Sequence, residues 1–94
     1  MIILVVEVKT KPGKRDEYVK AAEDCVKHTR MEEGNRDYRL LLSTDDPDDA
    51  VFFEIWDSKE ALDLHTKTEH YLKLRPKVEE LCVSTAMKTY EISL

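Results

Sequence analysis

Glycine and proline are scarce, 2 and 3 among 94 residues, which argues against disorder and against a flexible linker joining separate units. Cysteine is as rare. Cys25 and Cys82 stand far apart and form no CxxC or zinc spacing, so they read as buried thiols rather than as a disulfide or a nucleophile. No long apolar run is present: Met1-Ile2-Ile3-Leu4-Val5-Val6 is too short to span a bilayer, lacks a basic leader and is interrupted at Glu7 and Lys9. The expectation is neither signal peptide nor anchor, hence a cytoplasmic protein with no membrane partner. Basic blocks are missing too, since the net charge is −5 with acids and bases interspersed, and nucleic acid is not an expected partner. There is no GxGxxG, no Walker loop and no His/carboxylate triad at metal spacing, so neither a metal nor another cofactor is expected.

What remains is a chain that is 41% hydrophobic and 37% charged, the balance of a folded protein with well-solvated helix faces. Its length suits one domain over residues 1–94. A domain this small buries only about 60–65% of its unfolded surface and gains stability from a partner copy.

Hydrophobic periodicity sets out the elements. Ile2 to Val8 is rich in β-branched residues and reads as a strand covered on at least one face. After the break at Lys11-Pro12-Gly13, Tyr18, Val19, Ala22, Cys25, Val26 and Thr29 share a helical stripe, with an end expected near Glu33-Gly34. Tyr38, Leu40 and Leu42 alternate with Asp37, Arg39 and Ser43 in a half-buried strand. The turn Thr44-Asp45-Asp46-Pro47-Asp48-Asp49 leads into a second strand, Val51 to Trp56. The four aspartates of that turn lack the glycine and the distal glutamate of a calcium loop and read as solvated. Asp57-Ser58-Lys59-Glu60 has capping-box spacing and opens a short helix through His65; Thr66-Lys67-Thr68-Glu69 repeats the signature. One helical region is therefore expected in two pieces. Cys82 to Leu94 closes the sheet with Tyr90, Ile92 and Leu94 on one face.

The order β-α-β-β-α-β predicts an α+β, ferredoxin-like fold, with an antiparallel sheet carrying its helices on one face. The other face needs cover, and two sheets packed face to face would supply it as a dimeric α/β barrel, a homodimer.

Phe53-Glu54-Ile55-Trp56-Asp57-Ser58-Lys59-Glu60-Ala61-Leu62-Asp63-Leu64-His65, continuing through Thr68-Glu69-His70-Tyr71, resembles the E-x-W…H…H-[FY] region of small antibiotic-biosynthesis-monooxygenase domains. Lys11-Pro12-Gly13-Lys14 is similar to that family's lead-in to its first helix, and Glu33-Gly34-Asn35-Arg36-Asp37-Tyr38 to its passage into the second strand. The resemblance covers essentially the whole chain. It implies one of three activities: oxidation of quinols and phenols by O2 without metal or flavin, haem degradation, or isomerisation of a phosphorylated quorum-signal sugar.

The residues discriminate among these. Trp56 shares a strand face with Phe52 and Glu54, so it either packs in the core or forms a pocket wall on which a flat aromatic substrate stacks. Glu54 is then a salt-bridge partner or a base with a raised pKa. His65 either caps its helix C-terminus or removes a phenolic proton, because oxidising a quinol without a metal needs its electron-rich anion. Five residues separate His65 from His70, about 140° on a continuous helix, which spoils a metal pair unless the chain bends between them. Tyr38, with Leu40 and Leu42, is a core residue or a hydrogen-bonding substrate contact; Tyr71 packs its helix and lines the cavity; His28 is expected to be solvated.

The haem-degrading branch of the family has an Asn in the first strand and a later ligating His, where this chain has Val6-Glu7 and Leu74-Arg75-Pro76, so haem is set aside. Arg36, Arg39, Lys73 and Arg75 could cradle a phosphate for the isomerase, though no glycine-rich loop marks such a site. The leading reading is a cofactor-free monooxygenase with His65 and Glu54 as catalytic groups and Trp56, Tyr38, His70, Tyr71 and Phe52 around a small aromatic or quinol-like substrate. The alternatives are the isomerase and a non-catalytic dimeric binding domain.

Overall fold

The chain alternates most strictly at Asp49–Trp56, where Ala50, Phe52, Glu54 and Trp56 are buried and the residues between them are half-buried. A strand whose odd and even side chains differ this sharply in cover belongs inside a sheet with one closed face. In the computed structural model, which describes residues 1–94, it does. Strands β1 (Ile2–Thr10), β2 (Asn35–Leu42), β3 (Asp49–Trp56) and β4 (Cys82–Tyr90) form one antiparallel sheet in the order β2-β3-β1-β4. Helices α1 (Arg15–Thr29), α2 (Lys59–His65) and α3 (Glu69–Leu81) complete the order β-α-β-β-α-α-β. None of them is long and apolar enough to cross a membrane.

Register fixes the two faces. Leu4 lies between Glu54 and Thr89, and Glu54 in turn opposes Tyr38; Val6 lies beside Phe52, which opposes Leu40. This face carries the helices. Tyr18, Ala22, Cys25 and Thr29 of α1, spaced at helical intervals, and Leu74 and Leu81 of α3 are buried against it. The opposite face presents Ile3, Val5, Val51, Phe53 and Ile55, all half-buried, with Leu41 exposed. Cys25 is buried and Cys82 partly so; both thiols are free, and burial raises the pKa of each, which suppresses thiolate chemistry.

Four boundaries differ from the sequence reading. Helix α1 ends at Thr29, not near Gly34, because Met31 to Gly34 make a separate turn before β2. Both caps fall later than expected: Ser58 accepts from the Ala61 N–H at 3.2 Å and Thr68 from the Tyr71 N–H at 3.3 Å. The third helical residues are thus Ala61 and Tyr71, which cannot reach back, and neither capping box closes. Strand β4 stops at Tyr90, leaving Ile92 and Leu94 beyond it. The aspartate turn keeps its carboxylates in contact with solvent but is tied down by cations. Lys9 pairs with Asp46 and Asp49 at 2.7 and 3.1 Å, while Arg15 Nη1 donates to the carbonyls of Ser43, Asp46 and Asp49.

Gly34 is where this turn meets α2. Its φ is +91°, and a Cβ there would lie 2.6 Å from Ala61 Cβ. Gly34→Ala is expected to cost about 1–3 kcal/mol through strain and crowding combined. Chemical denaturation should show the loss, with partial recovery in Gly34→Ala/Ala61→Gly; equal losses in single and double variants would mean that only the backbone angle matters.

Candidate active site

Strand β3 delivers Phe52, Glu54 and Trp56 to the helix side of the sheet, and β2 places Tyr38 beside them. The joint between α2 and α3 adds the imidazoles. His65 is the last residue of α2, and its carbonyl accepts from both the backbone N–H and the hydroxyl of Thr68, which stops α2 and starts α3. That bend carries His70 and Tyr71, in the first turn of α3, back toward His65.

All seven residues singled out from the sequence lie in one connected cluster. The His65 ring lies 4.8 Å from Trp56, 5.5 Å from Tyr38, 5.1 Å from Tyr71 and 6.0 Å from His70, centroid to centroid, and Tyr38 lies 5.3 Å from Phe52. Glu54 joins through Trp56, whose indole N–H donates to Glu54 Oε1 at 2.9 Å. The cluster is packed shut: of Trp56, His65, Glu54, Tyr38 and Phe52, none exposes more than 4% of its surface. Trp56 is therefore a core side chain in this state, not an open pocket wall. Two cavities of about 640 and 430 Å³ lie elsewhere, one at the end of the sheet beside Lys9, Leu42 and Asp49, the other between α1 and Leu40. Access to the cluster is by its rim, where Glu32, His70 and Tyr71 are only partly covered.

Glu32 is the residue that sequence reasoning missed. Its Oε2 accepts from His65 Nδ1 at 2.7 Å and from His70 Nε2 at 2.8 Å. The bend that the sequence left open between the two histidines is present and turns both rings onto one carboxylate oxygen, which corrects the expectation that no His/carboxylate triad exists. The arrangement sets a tautomer. With Nδ1–H committed to Glu32, a neutral His65 keeps its lone pair on Nε2, the nitrogen able to take a proton. Burial lowers the His65 pKa, opposed by the Glu32 bond and charge. His28, expected in solvent, is exposed but stacks on His70 with ring centroids 5.7 Å apart.

Glu54 is the other perturbed group. Burial pushes its pKa up to about 7, against the lowering effect of the Trp56 N–H, and the negative charge of Glu32 adds to the rise. Burial also raises the Tyr38 pKa well above its ordinary value, so that hydroxyl stays protonated. The cations considered for a phosphate cradle are mostly engaged elsewhere: Arg36 with Asp57, Arg39 with Asp37, Lys73 with Glu69.

Comparison with known proteins bears on the family and the fold. The family model described as antibiotic biosynthesis monooxygenase matches residues 1–77. A Bacillus subtilis (strain 168) protein, "Putative monooxygenase YcnE", is 36% identical over 81 residues, 86% of this chain and 85% of that one. Among solved structures, "Putative antibiotic biosynthesis monooxygenase from Nitrosomonas europaea" superposes with a TM-score of 0.93 at 25% identity, covering 97% of each chain. Rv0793 from Mycobacterium tuberculosis gives 0.90 at 29% identity, covering 98% of this chain and 94% of that one.

Proposed function

We propose that this chain, which belongs to the antibiotic biosynthesis monooxygenase family, is a cofactor-independent monooxygenase that oxidises a small aromatic, quinol-like substrate with O2. It acts as a single-domain cytoplasmic homodimer. The observation that carries the reading is the Glu32–His65 bond, which leaves a lone pair on His65 Nε2 in an aromatic surround.

Ionisation is the step the protein can supply. A neutral quinol reacts sluggishly with O2, whereas its anion is a far better electron donor. His65 Nε2 takes the phenolic proton, and Glu32, on the other side of the ring, stabilises the imidazolium that forms. Positioned bases of this kind contribute about 10²–10⁴-fold. The electrons then come from the substrate: a quinol and O2 give the hydroxyquinone and water, one oxygen atom entering the ring and the other leaving with two hydrogens. Glu54, poised near neutrality beside Trp56, is the second acid/base group, and Trp56, Tyr38, Phe52 and Tyr71 supply flat surfaces for the ring once it displaces the rim. His70, on the other lobe of the Glu32 bond, links that carboxylate to solvent.

The dimer is supported by the open sheet face, where Ile3, Val5, Val51, Phe53 and Ile55 form a half-covered apolar patch that a second sheet would bury.

Oxygen uptake by metal-stripped protein with a panel of reduced quinols, corrected for autoxidation, tests the proposal. Uptake above background is expected, falling about 10²–10⁴-fold in His65→Ala and by less in Glu32→Gln. Saturable ligand stabilisation with no oxygen consumed across the panel would instead identify a binding domain.

A further inference from the structure

Glu32, His65 and His70 arrive from three separate parts of the chain: the turn after α1, the last residue of α2 and the first turn of α3. Their nearest ligand atoms, one carboxylate oxygen and two imidazole nitrogens, all lie within 4.8 Å of one another. We propose that these three side chains form a binding site for a divalent transition metal of the zinc class, with water in the remaining position.

The donor set fits. Two imidazoles and one carboxylate around an open position are a recurrent zinc arrangement, and neutral nitrogen with carboxylate oxygen suits borderline metals rather than calcium or magnesium. The spacing is close to what such an ion needs. Bonds of about 2.0–2.1 Å in a tetrahedron hold ligand atoms about 3.4 Å apart. Oε2 now sits 2.7 and 2.8 Å from the two nitrogens and the whole set lies within 4.8 Å, so side-chain shifts that open the two short contacts by about half an ångström and bring the nitrogens to the same spacing admit the ion. Cover is graded suitably: the His65 side chain is 3% exposed, while Glu32 and His70, at 14% and 15%, leave a route from solvent.

Metal binding also changes what His65 can do. An ion on Nδ1 moves the ring hydrogen to Nε2, where it blocks the nitrogen that would accept a phenolic proton. Occupancy and the base role are mutually exclusive, so the ion is an inhibitor of the proposed chemistry. The binding itself does not depend on that chemistry, since it is measured without substrate and stands or falls separately.

The test titrates the full chain, stripped of metal, with Zn2+ and separately with Co2+. The expected results are one ion per chain, a rise in melting temperature with Zn2+, and a visible Co2+ ligand-field band of tetrahedral intensity. His70→Ala, at a partly exposed position, should lower the affinity by about 100-fold or more, and Glu32→Gln likewise, whereas His28→Ala should leave it unchanged. No Co2+ band together with no thermal shift would overturn the proposal. So would binding that persists at full affinity in His70→Ala, which would place the ion elsewhere.

Discussion

Glu54→Gln should stabilise the protein by about 3 kcal/mol near pH 9 and leave it unchanged near pH 4. The wild-type carboxyl, only 3% exposed, has its pKa raised from 4.5 to about 7 by burial. Below 4.5 it is protonated in both the folded and the unfolded chain and has no differential effect. Between the two values the unfolded chain ionises while the folded one holds its proton, so stability falls as pH rises, and above about 7 the full cost is present. Glutamine removes the ionisation and keeps an oxygen for the Trp56 N–H, 2.9 Å away. The variant is compared with wild type at each pH, which cancels the contributions of the other titrating groups that the two proteins share. Urea denaturation across the range is the readout. A difference that does not depend on pH would mean that Glu54 has an ordinary carboxylate pKa.

Trp56→Ala has the largest effect expected of any single substitution in the cluster, about 3–5 kcal/mol. The indole is 0% exposed, lies 4.8 Å from the His65 ring, and gives Glu54 its one strong donor. Truncation leaves a cavity and an unpartnered buried carboxyl together. Trp56→Phe separates the two causes. It fills most of the space but removes the N–H, so it should cost only about 1–2 kcal/mol and raise the Glu54 pKa further. A Phe variant as unstable as the Ala variant would make the hydrogen bond, not the ring, the dominant contribution.

Local pattern carried much of this structure into view. The alternation through Phe52, Glu54 and Trp56 announced both the strand and the shared face, and capping-box spacings at Asp57–Glu60 and Thr66–Glu69 announced a helix in two pieces, though the caps that form are Ser58 and Thr68. Those signals act over two to four residues and survive without tertiary information. The end of α1 was misplaced because Gly34 marks a second turn, close against Ala61, rather than the helix terminus itself. Glu32 was invisible for a different reason. Its partners lie 33 and 38 residues away, and nothing in the acidic pair Glu32-Glu33 says which member turns inward. The closed packing of Trp56 was equally out of reach, since a wall and a core residue have the same periodicity.

The central claim is that His65 ionises a phenolic substrate, and the most direct measurement excludes oxygen. Mixing the protein anaerobically with a quinol from the panel, at a pH where the free quinol is neutral, and recording the ultraviolet difference spectrum reports the protonation state of the bound molecule. The account predicts the phenolate spectrum with wild-type protein, its loss in His65→Ala and its weakening in Glu32→Gln. A bound quinol that stays neutral in the wild type, or a phenolate that forms equally well in His65→Ala, would contradict it.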